Sequence, residues 1–469
     1  MKRVAAALGV ALVLAACASA SARSSHLSAA GSDWPRFGYD AARHNSGPAA
    51  TRVTASTVHH LERQTVTLDG TVDSSAIYLH AARIGGRAHD AFFVTTTYGK
   101  TEAIDADSGA VLWRYTPQTY ESYAGGTRIT TAAPVADPNR RAVYAAAPDG
   151  RITKLSVADG SPVWSTAVTL DPTHEKLTSA LNFSRGLVIV TTGGFIGDIP
   201  PYQGHVVTLR ASDGKIVAVW NSLCSNRHTL IQPSTCNASD SAIWARSGAV
   251  VDPHTGDLIV ATGNGPWNGK TNWGDSVVVL SPTASKLLGH WTPLNQSELE
   301  RRDLDIGSAG PALLAGGRIV QGGKDRKLRL ISLTRMRGSG AHLGGELHVV
   351  STPRAAPMFT VPAAWRSRWL FVATYSGTAA WRLAGDRLQR VWINDTAGSS
   401  PVVAGGLLYV AGTGALNVYN PTTGRRVAAL PYGTFHWQSP IVADGRIALA
   451  EGDSNHHRTS GVLNIYRVR

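Results

Sequence analysis

Only three cysteines and three methionines occur in 469 residues, and charged side chains make up 16% of the chain. So little charge, beside 43% hydrophobic residues, excludes a disordered polyelectrolyte and leaves enough apolar material to bury a core. After the N-terminus no stretch approaches the roughly 18–20 apolar residues of a transmembrane helix. There is no P-loop, dinucleotide fingerprint, zinc-protease motif or strand–elbow–helix G-x-S-x-G unit, so ATP, NAD and hydrolase readings have no support. No C-x-x-C-H occurs, and covalent c-type haem therefore has no motif. Negative charge is the scarcer sign: 45 Lys+Arg against 32 Asp+Glu leave a net charge of +13. That balance suits an anionic neighbourhood, a membrane surface or an acidic polysaccharide, with nucleic acid less favoured; a basic surface with no dedicated partner accounts for it equally well.

Glycine and proline are plentiful, at 48 and 23 residues. This much turn chemistry argues for many short strands and against a helical bundle. The first residues, MKRVAAALGVALVLAACASA, carry Lys2 and Arg3 ahead of an unbroken run from Val4 to Ala16. The run is short for a span and suits a secretory h-region. Leu14-Ala15-Ala16-Cys17 then resembles a bacterial lipobox, which makes residues 1–17 a lipoprotein signal and Cys17 the lipidated first residue. Ordinary cleavage at a small-residue site is the alternative. The Ser/Ala-rich residues 18–32 read as a flexible tether to a body over 33–469. Of the remaining cysteines, Cys224 and Cys236 most simply form one loop-pinning disulfide in an oxidising compartment. Two thiols with His228 between them are too few for a zinc site.

The body is self-similar. AIDADSGAVLW (Ala103 to Trp113) recurs as KLSVADGSPVW (Lys154 to Trp164), as TLRASDGKIVAVW (Thr208 to Trp220) and, more weakly, as VYNPTTGRRVA (Val418 to Ala428). Gly109, Gly160 and Gly214 stand about fifty residues apart, the length of a four-stranded propeller blade. Each phrase reads as an alternating strand, a polar turn whose glycine supplies positive φ, and a second strand carrying a large inward aromatic. Eight such units fit between about Asp73 and Arg469, or seven if Arg329 to Val350 belongs to one irregular blade. The predicted fold is all-β, an eight-bladed β-propeller. Its last unit lacks an outer strand, and the orphan HHLERQTVTLD, from His59 to Asp69, is placed to supply it and so remove two exposed edges.

These phrases, with Trp34-Pro35-Arg36-Phe37-Gly38-Tyr39-Asp40 and Arg43-His44-Asn45-Ser46-Gly47 ahead of them, resemble the pyrroloquinoline quinone (PQQ)-type propellers. That superfamily holds quinoprotein alcohol dehydrogenases and a non-catalytic scaffold subunit of outer-membrane protein assembly. Three segments are similar to the dehydrogenases. Thr262-Gly263-Asn264-Gly265 resembles their calcium-ligand loop, which implies Asn264 as an oxygen ligand, with Trp244 nearby as a stacking surface and Asp198 as a further carboxylate for metal. Asp303-Leu304-Asp305-Ile306-Gly307 resembles the stretch carrying the catalytic base; the resemblance implies Asp305, ahead of Asp303, as acceptor of the substrate alcohol's proton. Gly322-Gly323-Lys324-Asp325 resembles the loop whose Lys324 approaches the quinone oxygens. The implied cofactors are PQQ and calcium. Each residue also has an ordinary structural role open to it, Asn264 as a turn residue, the aspartates as caps and Lys324 as a loop charge. Trp244, Trp267 and Trp273 have blade packing as their alternative. No two cysteines are adjacent, so the dehydrogenases' vicinal disulfide cannot form, and no glutamate stands near Asp198 in TTGGFIGDIPP, the region where the resemblance implies a calcium-binding one. Two readings follow: an envelope-held dehydrogenase for an alcohol or sugar, and a lipid-anchored scaffold binding an envelope protein or an anionic glycan.

Overall fold

The repeat's glycine and tryptophan join one unit to the next. Gly109, Gly160, Gly214 and Gly424 all have φ between 70° and 75°, a region that L residues with a Cβ enter at a cost. At three of these turns the missing side chain makes room for an indole of the preceding unit. A Cβ on Gly160 would stand 2.5 Å from the Trp113 ring, one on Gly214 2.7 Å from Trp164, and one on Gly424 2.6 Å from Trp392. Each indole then donates to a carbonyl of the unit it leans on: Trp113 to Val157 (2.9 Å), Trp164 to Ala211 (3.2 Å) and Trp392 to Pro421 (2.8 Å). Trp220 departs from this pattern. It lies six residues beyond Gly214 where Trp113 and Trp164 lie four beyond their glycines, and it is buried with Ile243 and Trp273 instead.

The structure, a computed structural model, describes Met1 and residues 31–337 and 342–468. The expected export signal, Cys17 and the tether up to residue 30 lie outside the described residues. No helix among the described residues is long and apolar enough to cross a membrane. Eight four-stranded antiparallel sheets span residues 77–115, 135–167, 182–221, 250–291, 312–351, 363–394, 402–431 and 441–467, the last completed from the N-terminal side; we call them blades 1 to 8. The completing strand is Glu62–Leu68, paired antiparallel with Gly461–Arg467 from Glu62 opposite Arg467 to Leu68 opposite Gly461. First strands touch between blades 2 and 3, 5 and 6, 6 and 7, and 8 and 1, and the last of these contacts closes the ring. Blade 5 is irregular but complete, its outer strand His348–Ser351 following a short helix Leu333–Met336, which settles the count at eight.

The period-two pattern survives only where one face meets water, as in the closing strand, whose exposed residues alternate until Val66 and Leu68 enter the core. Middle strands such as Ala142–Ala146, Leu258–Ala261 and Val277–Leu280 are buried throughout. Neighbouring blades cover both of their faces, which calls for continuous apolar runs.

The segment 34–47 crosses the centre of the ring. It exchanges backbone hydrogen bonds with the first strands or their flanks in blades 1, 2, 4, 6 and 7, through Tyr78, Ala136, Val251, Ala364 and Val403. Arg43 is fully buried in this crossing and donates only to carbonyls, of Phe37, Ala180, Leu181 and Ser247. The expected disulfide is present: Cys224 and Cys236 are joined, with Leu223 and Ile231 packed beside Cys236. His228 is exposed.

Candidate functional site

Segments entering the first strands of blades 3, 4 and 8, with loops of blades 3, 4 and 5, meet around an axial cavity of about 260 Å³. Its lining includes Trp244, Asn264, Lys324 and Asp198, all singled out in the sequence, together with Lys176, Arg246, Trp437 and Tyr202. Remote stretches converge here because propeller loops at one face point towards the hub.

Blade 4 brings Trp244 against Asp305. The indole Nε1 donates to Asp305 Oδ2 at 3.0 Å. Gly263 permits this approach, since a Cβ there would press at 3.3 Å on both the carboxylate oxygen and the indole nitrogen. Asp305 is fully buried, and its other oxygen lies 2.7 Å from Lys324 Nζ. The same ammonium reaches Asp303 Oδ1 at 2.6 Å and sits 5.5 Å from the centre of the Trp244 ring. Asp303 is the open member of the set, with a side chain 59% exposed. Burial works against the charge on Lys324, but the Asp305 and Asp303 carboxylates outweigh it and hold the amine above the ordinary lysine value. Burial pushes the Asp305 carboxyl up, and the Lys324 ammonium opposes that rise. Behind them Asp275 is also fully buried. Desolvation, with the Asp305 charge adding to it, drives its carboxyl well above the usual range.

The site residues expected from sequence therefore separate into three depths. Trp244, Asn264, Lys324 and Asp198 line the cavity. Asp305 stands behind Trp244 and Lys324, and Asp303 lies at the solvent side of the same ammonium. Trp267 and Trp273 pair with each other and join the packing of blades 3 and 4, with Trp273 Nε1 bonded to Ser225 Oγ at 3.0 Å.

Sequence reasoning missed Lys176, Arg246 and Trp437. Lys176 is carried by the ladder Glu175–Lys176, paired with Gly193–Gly194. Alternation along a strand turns Glu175 away, into a buried ion pair with His205 Nε2 at 2.9 Å, and leaves Lys176 facing the cavity. Burial lowers the Lys176 amine to about 7, with Arg246 adding to the effect. Trp437 is held by Asp73, whose Oδ1 accepts from the Trp437 backbone N–H at 2.9 Å and whose Oδ2 meets His436 Nδ1 at 2.6 Å. The one signal that could have pointed to Arg246 is its place two residues after Trp244, on the same side of the incoming chain.

No group of three His, Cys, Asp or Glu ligands gathers at Asn264 among the described residues. A hard cation of this kind takes six to eight oxygens, while both Asp305 oxygens are engaged by Lys324 and Trp244. Among the described residues, the sets of three His or Asp ligand atoms close enough to hold a metal are Asp73, His436, Asp453 and His80, Asp90, Asp444, neither of which includes Asp198 or Asp305. A flat quinone fits better: the Trp244 ring offers a stacking face, and the Lys324 cation stands over it.

Comparison with known proteins gives a consistent picture. The family model described as outer membrane protein assembly factor BamB matches residues 48–230. The dehydrogenase subunit of the quinone-type alcohol dehydrogenase from Acetobacter aceti is 25% identical over 238 residues, 44% of this chain and 32% of the relative. Quinohemoprotein alcohol dehydrogenase ADH IIB from Pseudomonas putida is 25% identical over 232 residues, 43% of this chain and 32% of that protein. The matched stretch thus spans about a third of the length of these curated relatives. Among solved structures, quinohemoprotein alcohol dehydrogenase from Comamonas testosteroni superposes with a TM-score of 0.67 at 16% identity, covering 93% of this chain and 80% of that one. BamB from Moraxella catarrhalis superposes with a TM-score of 0.53 at 12% identity, covering 86% and 98%. These solved structures share the propeller fold.

Proposed function

Since the chain is a PQQ-like β-propeller, we propose that it works as a quinoprotein dehydrogenase-like oxidoreductase, exported and held at the cell envelope through Cys17, that oxidises an alcohol or sugar at the axial cavity. The observation that carries this reading is the arrangement of Lys324 between Asp303 and Asp305 beside Trp244, at the wall of one cavity. A bound pyrroloquinoline quinone would supply the two-electron acceptor. The protein's own part is to stack a flat ring on Trp244, to offset negative charge with the Lys324 ammonium, and to take up the proton of the substrate hydroxyl. Asp303 is the reachable acceptor for that proton, because Asp305 has both oxygens engaged and no open path. Asp305 fixes the ammonium. Asn264 and Asp198 offer polar side chains to the ligand from the cavity lining. The test is titration of the purified protein with PQQ, followed by tryptophan fluorescence, and dye-linked oxidation of alcohols and sugars; absence of both binding and turnover rejects the reading.

A second reading is a non-catalytic scaffold, lipid-anchored and presenting its loop face to an envelope protein or an anionic glycan. The match of residues 48–230 to an assembly-factor model favours it. Affinity capture from envelope membranes that returns one stable partner, from a protein that binds no quinone, would decide for it.

A further inference from the structure

The cavity has a second cationic end. An aromatic wall runs from Trp244 through Phe359 to Trp437, with ring centres 6.1 Å apart at each step. Lys324 stands over the first indole, and the Arg246 guanidinium stands 4.9 Å from the centre of the last. Lys176 lines the cavity together with Arg246.

Both of these cations are 6% exposed, and among the described residues neither makes an ion pair. Arg246 Nη2 donates to the Trp244 carbonyl at 3.3 Å, and its Nη1 is buried with no partner. Asp73, the acid whose field reaches both of them, is already occupied by His436 Nδ1 and by the backbone N–H groups of Trp437 and Ser454, and Asp453, which acts on Lys176 as well, faces His436. Two buried, adjacent, unpaired cations are costly unless an anion joins them.

We propose that Lys176 and Arg246 form a carboxylate-binding subsite, so that the molecule received in the axial cavity carries an acidic group at the end away from Lys324. The inference rests on reading this cavity as a ligand site and not on its redox chemistry. Arg246 offers Nη1 and a planar fork, and Lys176 offers a mobile point charge. Thr178 adds a hydroxyl to the lining. The carboxylate belongs either to the quinone itself or to a separate acidic substrate.

The groups around Lys176 fix the sign of the pH dependence. Arg246 lowers its amine further after burial, while Asp73 and Asp453 raise it. His436 faces Asp73 and Asp453, and Asp198 and Lys324 complete the charged lining. With its amine near 7, Lys176 is cationic at pH 6 and neutral at pH 9. An anion therefore binds best at the lower pH, and its binding near pH 7.5 takes up a proton.

Calorimetric titration of the full chain with benzoate, against neutral benzamide, tests the subsite. Benzoate is expected to bind about tenfold more tightly than benzamide at pH 6, one factor of 1.4 kcal/mol, to lose that advantage by pH 9, and to take up protons when titrated in two buffers of different ionisation enthalpy. Lys176→Met and Arg246→Gln should each erase the advantage at pH 6. The proton-uptake measurement needs no variant and stands if either fails to fold. Equal affinity for the two ligands, or a benzoate affinity unchanged between pH 6 and pH 9, overturns the proposal. Repeating the titration with PQQ present assigns the source: competition places the quinone's own carboxylate in the subsite, and undiminished benzoate binding places a second molecule's there. If PQQ does not bind at all while benzoate behaves as expected, the redox reading falls and the subsite remains.

Discussion

Lys324 shows how much a single position can depend on its neighbours. Its ammonium is shared by a buried carboxylate and an open one. Asp305→Asn removes the buried partner and should cost roughly 3 kcal/mol, the usual scale for breaking a buried pair; thermal melts measure it, and the Lys324 amine, followed by NMR, should fall towards its ordinary value. Asp303→Asn should leave stability within about 0.5 kcal/mol, as for an exposed charge, yet lower the rate of alcohol oxidation about 10²-fold or more with quinone binding intact. Asp73 gives the pH dependence. Burial opposes its ionisation, but hydrogen bonds from His436 and Ser454 hold its carboxyl below the usual value. A depressed folded-state pKa contributes stability that is present above the unfolded value and lost as pH falls through the folded one. Wild-type melting temperature should therefore drop more steeply below about pH 4 than that of Asp73→Asn. These residues were legible unequally. Asn264, Asp305 and Lys324 sit in phrases a reader can recognise, whereas Lys176 and Arg246 are ordinary basic residues until burial makes them unusual.

At the scale of the blade, the repeated glycine does two separate jobs, and substitutions can tell them apart. Gly160 has φ 74° and touches the Trp113 ring; Gly186 has φ 76° and open space around it. Gly186→Ala should cost about 1–2 kcal/mol, the left-handed penalty alone. Gly160→Ala adds overpacking of about 1–3 kcal/mol, and denaturant titration of the pair should show the difference. The Cys224–Cys236 bridge closes a short loop, with a sequence separation of 12. Replacing both by Ser should cost about 2–4 kcal/mol. The turn phrases were readable because a tight turn restricts which residues can occupy it. The role of Trp113 was readable only in part: its direction inward follows from the strand, but its seat on the next blade's glycine depends on the angle between two sheets.

For the whole molecule, closure is the decisive feature. Tyr78 and Phe92 of blade 1, Tyr409 of blade 7 and Ile447 and Leu463 of blade 8 share one core with Val66 and Leu68 of the closing strand. Asp73, ahead of blade 1, is bonded to His436 and Ser454 of blade 8. Val66→Asp places a charge in that seam. The expected result is loss of a single cooperative unfolding transition and a larger hydrodynamic radius, read by calorimetry and size-exclusion chromatography. Melting that stays single and unshifted would mean the ring does not depend on its seam.

The amino-acid order alone determined the turn positions and the strand that completes the last sheet, because each is written in local patterns of glycine, apolar runs and unmatched edges, while it left the blade count between seven and eight until blade 5 proved complete. It also marked Trp244, Asn264, Asp303, Asp305 and Lys324 as a group. The tertiary structure decided which of them face the cavity, that Asp305 is enclosed and Asp303 open, and that Lys176 and Arg246 stand together without a counter-charge. Depth and charge balance at a hub are sums over segments from several blades, and no local stretch of chain contains them.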